Sequence, residues 1–398
     1  MKKMMKTLTI RNVGPIKDAA VQFGDLTVFV GPQATGKSIF LQWLKLVLDV
    51  EPIKKQLADY GTDWERKPDL FLETYFGEGM RSIWSADTSQ ITVDKKDFDL
   101  TARLRRRPKT KITPESVFLA PAQRVLTLRD GWPRPFGDYK PGDPYVVRAY
   151  SEKIRNLMEN AGGSTALFPR DKRLKAEYRS MLNASIFSGF SLNVERVNAQ
   201  KRLILKEGEK RLPYMVWSAG QREFIPLLLG LYWLMPSTKS TKLKDYDWVI
   251  LEELEMGLHP RAVSTMLMLV LELLHRGYRV CLSSHSPQVL ELVWAWQNLM
   301  MNKAEPRMLA RILNAKMTGG VRSVVDDAMK KELRVYYFDH NAPVAEISGL
   351  DTDSPTEMEA SWGDMLSFSD RANRAVAESA SENSGHDSSS LDEEDDAE

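Results

Sequence analysis

The chain holds 398 residues, 43% of them hydrophobic, and its 55 basic side chains nearly cancel its 54 acidic ones. That is ample material for a core, best accommodated as one principal domain with a helical insertion. A single cysteine, Cys281, lies inside an apolar strand pattern, which leaves no disulfide framework and suits a reducing, cytoplasmic compartment. The most apolar stretch, Phe224 to Met235, is too short to span a membrane, and Met1 to Lys6 runs into a strand pattern where a secretory signal would carry an apolar segment.

In chain order, the first informative segment is Gly31-Pro32-Gln33-Ala34-Thr35-Gly36-Lys37-Ser38, entered from Leu26 to Val30 and left through Ile39 to Leu44. This is the spacing of a phosphate-binding loop between a buried strand and a helix. The glycines let the backbone N–H groups of Gly31, Gln33, Ala34, Thr35 and Gly36 turn toward phosphates, and the helix N-terminus adds its positive end. Lys37 reaches the β- and γ-phosphates and Ser38 ligates Mg²⁺. The pattern therefore predicts a nucleoside triphosphate with Mg²⁺ as its cofactor.

Further on, Leu70 to Phe76 and Gln90 to Val93 read as strands, and Thr101 to Lys111 is a basic run (Arg103, Arg105, Arg106, Arg107, Lys109, Lys111) that reads first as a solvated hairpin or loop. Such a run is also able to neutralise phosphates without reading bases. Ser116 to Ala120 is a strand leading into Pro121-Ala122-Gln123-Arg124. Tyr145 to Met158 and Asp171 to Leu182 are helical in pattern with Gly162-Gly163 breaking between them, and Arg202 to Lys206 and Tyr214 to Val216 read as short strands. Trp217-Ser218-Ala219-Gly220-Gln221 then opens the apolar helix Phe224 to Met235, a second helix N-terminus able to face an anion.

Asp247 to Leu251 is a buried strand ending in Glu252 and Glu253, and such paired acids suit one metal-shell carboxylate and one that acts on the attacking water. Tyr278 to Ser284 delivers His285 to the same sheet edge, where open α/β sheets bind ligands. Between them, Val263, Met266, Leu267, Val270, Leu271 and Leu274 recur at helical spacing and make a packing face. His275, His340 and His386 lack zinc-site spacing. Leu333 to Phe338 and Pro343 to Ile347 read as a terminal hairpin. From Asp351 order weakens, although Trp362 and Met365 are able to anchor a short helix. Residues 381–398 carry eight acids and no Lys or Arg, a composition expected to be disordered.

Four stations in the order Walker A, signature, Walker B and His switch resemble the ABC-type ATPase heads of the RecF, SMC and OLD groups. The opening strands Leu8 to Ile16 and Ala20 to Phe23 look like the lead-in of OLD-like (AAA15) ATPases. The resemblance covers roughly residues 6–50 and 210–350. It implies an α/β P-loop head (1–350) with a core lobe from 1–50 and 236–350, an antiparallel β subdomain at 51–120, a helical lobe at 121–235 carrying the signature, and a disordered acidic tail at 351–398. By the same resemblance Glu252 holds Mg²⁺ through water, Glu253 polarises the hydrolytic water and His285 senses the γ-phosphate.

Ser218, Gly220 and Gln221 would close over ATP held by a second copy, so a homo-oligomer, at least an ATP-bridged dimer, is implied. Gln123 falls where related heads have a Q-loop metal-shell residue and Arg124 where they have a phosphate or inter-subunit contact; the alternative is a plain strand end with a surface arginine. His259, in Leu258-His259-Pro260, resembles the D-loop region and reads as an interface or structural residue. The chain carries no sustained heptad repeat and no Toprim-like acidic cluster. The resemblance then implies a stand-alone regulatory ATPase of the Septu-, PARIS- or retron-associated type, paired with a separate nuclease or toxin effector and answering a nucleic-acid or phage trigger. A RecF-like repair ATPase is the second reading and a transporter nucleotide-binding subunit the third.

Overall fold

The computed structural model describes residues 4–387 apart from 65–66, 107–113, 160–165, 172, 199, 236–241, 364 and 366. Residues fall into two compact units, Met1–Ser348 and Gly349–Glu398. The first begins with the hairpin β1 (Thr7–Val13) and β2 (Ile16–Gln22), followed by β3 (Leu26–Val30), buried at every position, and α1 (Lys37–Asp59). Next come α2 (Pro68–Phe76), β4 (Gln90–Val93), β5 (Lys96–Asp97), α3 (Leu100–Arg105) and β6 (Val117–Ala120). The ribbon β7 (Leu128–Arg129) and β8 (Trp132–Pro133) precedes α4 (Tyr145–Glu159), β9 (Ala166–Phe168), α5 (Ala176–Leu182), β10 (Ser191–Val197), β11 (Gln200–Glu207), β12 (Lys210–Pro213) and α6 (Ala219–Leu234). The chain returns through β13 (Trp248–Glu252), α7 (Pro260–His275), β14 (Arg279–Ser283), α8 (Pro287–Met301), α9 (Arg307–Ile312), α10 (Gly319–Ala328), β15 (Leu333–Tyr337) and β16 (Ala345–Glu346).

The central sheet runs β16-β15-β3-β14-β13-β6, parallel except for β16. Its inner strands are continuous apolar runs because helices cover both faces of a parallel sheet. A second, antiparallel sheet, β2-β1-β4-β5, shares its core with Phe40, Trp43 and Leu44 of α1. A third, β12-β11-β10-β9, lies within the segment expected to be a helical lobe. The local alternation of β10 and β11 (Leu192, Val194, Leu203, Leu205) carries that signal in the sequence.

Several expected elements take other forms. Leu70 to Phe76 is not a strand: Pro68 sits in the first turn of α2, and Phe71, Leu72, Tyr75 and Phe76 are its buried residues, a spacing of four that suits a helical face. Tyr214 to Val216 is a 3₁₀ turn ahead of α6, and the second middle helix begins only at Ala176, ending in a π turn over Asn183–Phe187. Of the basic run, Arg103 and Arg105 lie on α3, whose end is capped by the Lys54 ammonium donating to the carbonyls of Arg103 and Arg106 at 2.6 Å each; Arg107, Lys109 and Lys111 lie outside the described residues, as do Gly162 and Gly163. No helix among the described residues is long and apolar enough to cross a membrane.

The second unit is small. The Trp362 indole is buried and donates to the Leu350 carbonyl at 3.0 Å beside the short helix α11 (Glu357–Ala360), and α12 spans Ser367–Asp387. Helix therefore extends through a segment whose polarity suggested disorder, in keeping with its Ala, Glu and Arg content. Residues 388–398, which hold most of the acidic run, lie outside the described residues.

Candidate functional site

The P-loop joins β3 to α1, and its shape depends on Gly31. This residue has φ +131°, and a Cβ there would come within 2.0 Å of the Phe338 carbonyl oxygen just past β15. Only glycine fits both the backbone and the neighbour. Thr35 Oγ1 donates to the Pro32 carbonyl at 2.9 Å, tying the loop across its turn. Lys37, 5% exposed, folds back on its own loop and donates to the carbonyls of Gly31 at 2.7 Å and Pro32 at 2.6 Å. Burial pulls its ammonium down to about 8, against the charges of Glu253 and Glu255. Gln33 and Ala34 stand exposed at the loop's rim and Ser38 is half-buried.

Parallel pairing in register places the ends of β13 and β14 beside the loop. Glu252 is 1% exposed; its Oε2 accepts from the Ala122 N–H at 3.0 Å, while the buried Oε1 has no partner. Burial pushes this carboxyl up to about 7, the neighbouring Glu253 adding to the rise and hydrogen bonds from Ala122 and Ser38 opposing it. An orphaned, buried carboxylate oxygen in the neighbourhood of a serine hydroxyl is a donor set for a hard divalent cation such as Mg²⁺. Glu253 has φ +45°, strained for a non-glycine residue, and its carboxylate lies 3.7 Å from His285 Nε2.

Glu255, which sequence reasoning passed over, is part of the same cluster. Its Oε1 accepts from Ser284 Oγ at 2.9 Å and from the His285 N–H at 2.6 Å, so it sets the turn that presents His285. The signal was the third acid of Glu252-Glu253-Leu254-Glu255.

Ser218 is the N-cap of α6. Its Oγ accepts from the Gln221 N–H at 3.2 Å and its own N–H donates to Gln221 Oε1 at 3.1 Å, a reciprocal capping box. Ser-x-x-Gln was legible as that box, and the Gln221 side-chain oxygen is already used by it. Gly220 meets the loop after Glu253: a Cβ on Gly220 would lie 2.7 Å from the Gly257 carbonyl oxygen. The structure thus groups Lys37, Ser38, Glu252, Glu253 and His285, while the contacts of Ser218, Gly220 and Gln221 run to one another and to Gly257.

Arg124 departs from both sequence readings. It is 1% exposed, and its guanidinium donates to the carbonyls of Glu223 (3.1 Å), Pro121 (3.4 Å), Glu252 (2.9 Å) and Glu253 (3.0 Å). A group committed to four carbonyls is neither a surface arginine nor a phosphate contact. Gln123 is exposed at the start of the following 3₁₀ turn, next to the Ala122 that binds Glu252. His259 caps α7, accepting from the Arg261 N–H at 3.3 Å.

A P-loop set on a mixed sheet, with two acids and a histidine delivered to the same edge, defines an α/β P-loop ATPase domain. Residues 26–291, more than half of the chain, match the family described as "AAA domain, putative AbiEii toxin, Type IV TA system", and the chain belongs to that family. Among solved structures it is similar to the SMC head domain from Thermotoga maritima (12% identity, TM-score 0.36, covering 86% of this chain and 99% of that one). It is also similar to the SmcHead bound to the C-winged helix domain of ScpA (12%, TM-score 0.40, 86% and 97%). A third is cbiO1 from Clostridium perfringens, part of the ABC transporter complex cbiONQ (13%, TM-score 0.33, 78% and 99%). No curated protein matches the chain.

Proposed function

We propose that the protein binds and hydrolyses Mg²⁺-ATP, dimerises around it, and through that cycle controls a separate nuclease or toxin effector in bacterial anti-phage defence. The observation that carries the ATPase reading is the convergence of Lys37, Ser38, Glu252, Glu253 and His285 on one sheet edge. Gly31, Gln33, Ala34, Thr35 and Gly36 supply backbone donors to the phosphates, and Ser38 with Glu252 holds the metal, which when bound neutralises phosphate charge. Glu253 orients and polarises the attacking water, and His285 lies within reach of the same water or the γ-phosphate. Ser218, Gly220 and Gln221 complete the site of a second copy. The defence setting is supported by the toxin and toxin–antitoxin wording of the family description, which favours it over DNA repair.

Lys37→Ala is expected to abolish ATP binding, since the loop loses its point charge. Cells carrying the gene with its neighbours should then lose protection in a plaque assay. Wild-type nucleotide affinity in the variant removes the ATPase reading; loss of nucleotide binding with plaquing unaffected by Lys37→Ala removes the defence reading alone.

A further inference from the structure

The first turn of α6, which carries the signature, and the end of β13, which carries the two acids, are joined by two contacts. One is the close backbone approach of Gly220 to Gly257. The other is Arg124, whose Nε donates to the Glu223 carbonyl on α6 while its two terminal nitrogens donate to the carbonyls of Glu252 and Glu253. The Glu223 carboxylate stands 3.7 Å from the same guanidinium. From the other side, the Glu253 N–H donates to the Ser283 carbonyl at 3.0 Å. The peptide units flanking Glu253 are therefore held at both ends, by β14 and by Arg124, in a backbone conformation at φ +45° that costs free energy to maintain.

We propose that Arg124 is a positioning residue that couples the signature to the acids of its own subunit, so that engagement of one ATP site readies the other. The inference rests on the reading that the signature acts on ATP held by a second copy. In such a dimer the signature of one subunit touches the ATP of its partner, whereas Glu253 of that subunit serves its own ATP. A shift of α6 on contact with the partner's γ-phosphate moves the Glu223 carbonyl and carboxylate together, and the planar guanidinium, held by both, carries that displacement to the Glu252 and Glu253 carbonyls. Lysine is a poor replacement, because its compact ammonium lacks the rigid planar fork that reaches carbonyls on α6 and β13 from three separate nitrogens.

The test is Arg124→Lys in the full chain, with Glu223→Gln as a second variant that keeps every Arg124 bond to carbonyl oxygen and weakens only the charge contact. Wild-type hydrolysis should be cooperative in ATP, and Arg124→Lys should bring the Hill coefficient to about 1. Its kcat should fall at least tenfold, while KM and the affinity for Mn²⁺-ATP, read by Mn²⁺ electron paramagnetic resonance, stay within about threefold. Glu223→Gln should lower cooperativity without changing KM. A merely structural role instead lowers thermal stability and moves kcat, KM and metal affinity together, which overturns the proposal. Unchanged cooperativity in both variants also overturns it, and if Arg124→Lys does not fold, Glu223→Gln alone decides. Mixing Ser218→Arg with Lys37→Ala separates this from the parent reading, since failure of that pair to regain activity removes the trans signature and not the Arg124 contact.

Discussion

Glu252 and Glu253 are neighbours in sequence with unlike surroundings. Glu252 is the last residue of β13 and is buried with an unpartnered Oε1, while Glu253 lies just past the strand at φ +45°, partly exposed and 3.7 Å from His285. Glu253→Gln is therefore expected to lower kcat at least about a hundredfold while ATP affinity changes less than about threefold, because the phosphate grip is untouched. Glu252→Gln should instead weaken the Mg²⁺ dependence of binding. Steady-state hydrolysis and nucleotide titration check both, and the two roles are exchanged if Glu252→Gln stops turnover and Glu253→Gln does not. The two acids, Lys37 and Ser38 were legible in the sequence because a loop of fixed spacing and a strand with charged ends are local patterns. Arg124 was not, since its partners lie about a hundred or more positions away on α6 and β13.

At the scale of elements, α1 shows how a local defect becomes an anchor. Pro52 lies within the helix and Asp49 leaves helical geometry at φ −121°. The freed Asp49 carboxylate accepts from Ser116 N–H and Oγ at 2.8 Å each and from the Val117 N–H at 3.0 Å, holding the start of β6. Lys45 pairs with Asp49 at 3.1 Å and with Glu115 at 3.3 Å, and Glu115 also binds Lys153 on α4 and accepts from the Tyr145 hydroxyl at 2.9 Å. Burial alone would raise the Glu115 carboxyl, but the two ammonium groups overcome it and hold it well below the usual carboxylate range. A depressed folded-state value stabilises the fold above the ordinary carboxylate pKa of about 4.3, and this contribution is lost as pH falls below it. Glu115→Gln should accordingly cost about 2–3 kcal/mol at pH 7 in urea unfolding, with the gap to wild type closing in acid. A gap that stays constant from pH 7 to about pH 3 contradicts the assignment. The helix α2, by contrast, was misread because a short run of seven mostly apolar residues satisfies both periodicities, and Pro68 was the local signal for helix.

For the whole molecule, the central question is where the signature acts. Ser218 caps its own helix, and Gly220 packs on Gly257, so the signature turn is braced from behind with Ser218 exposed. Ser218→Arg is expected to block ATP-driven association while leaving ATP binding to the single subunit unchanged. Mixing it with Lys37→Ala should restore activity, because the mixed dimer keeps one composite site built from Lys37 of one copy and Ser218 of the other. Size-exclusion chromatography with light scattering and a hydrolysis assay read both effects. Full activity of a monomeric Ser218→Arg variant excludes action in trans. The exposed side chains of Met215 and Val216, 69% and 61% accessible in the turn before Ser218, extend the surface that such an association would cover.

What the sequence determined by itself is the part written at short range: the phosphate loop between strand and helix, the acids ending β13, the histidine after β14, and the order of these stations. Each is set by backbone needs within about ten residues, where spacing alone constrains geometry. Only the tertiary structure decided which groups share a charge environment. It placed Glu255 under the His285 turn, turned Arg124 from a surface candidate into a buried brace, and joined the strand read at Arg202 to Lys206 with β9, β10 and β12 in an antiparallel sheet within a lobe expected to be helical. The physical reason is burial: hydrogen bonds and charges gain their weight only where distant elements exclude water, and that exclusion is a property of the packed chain.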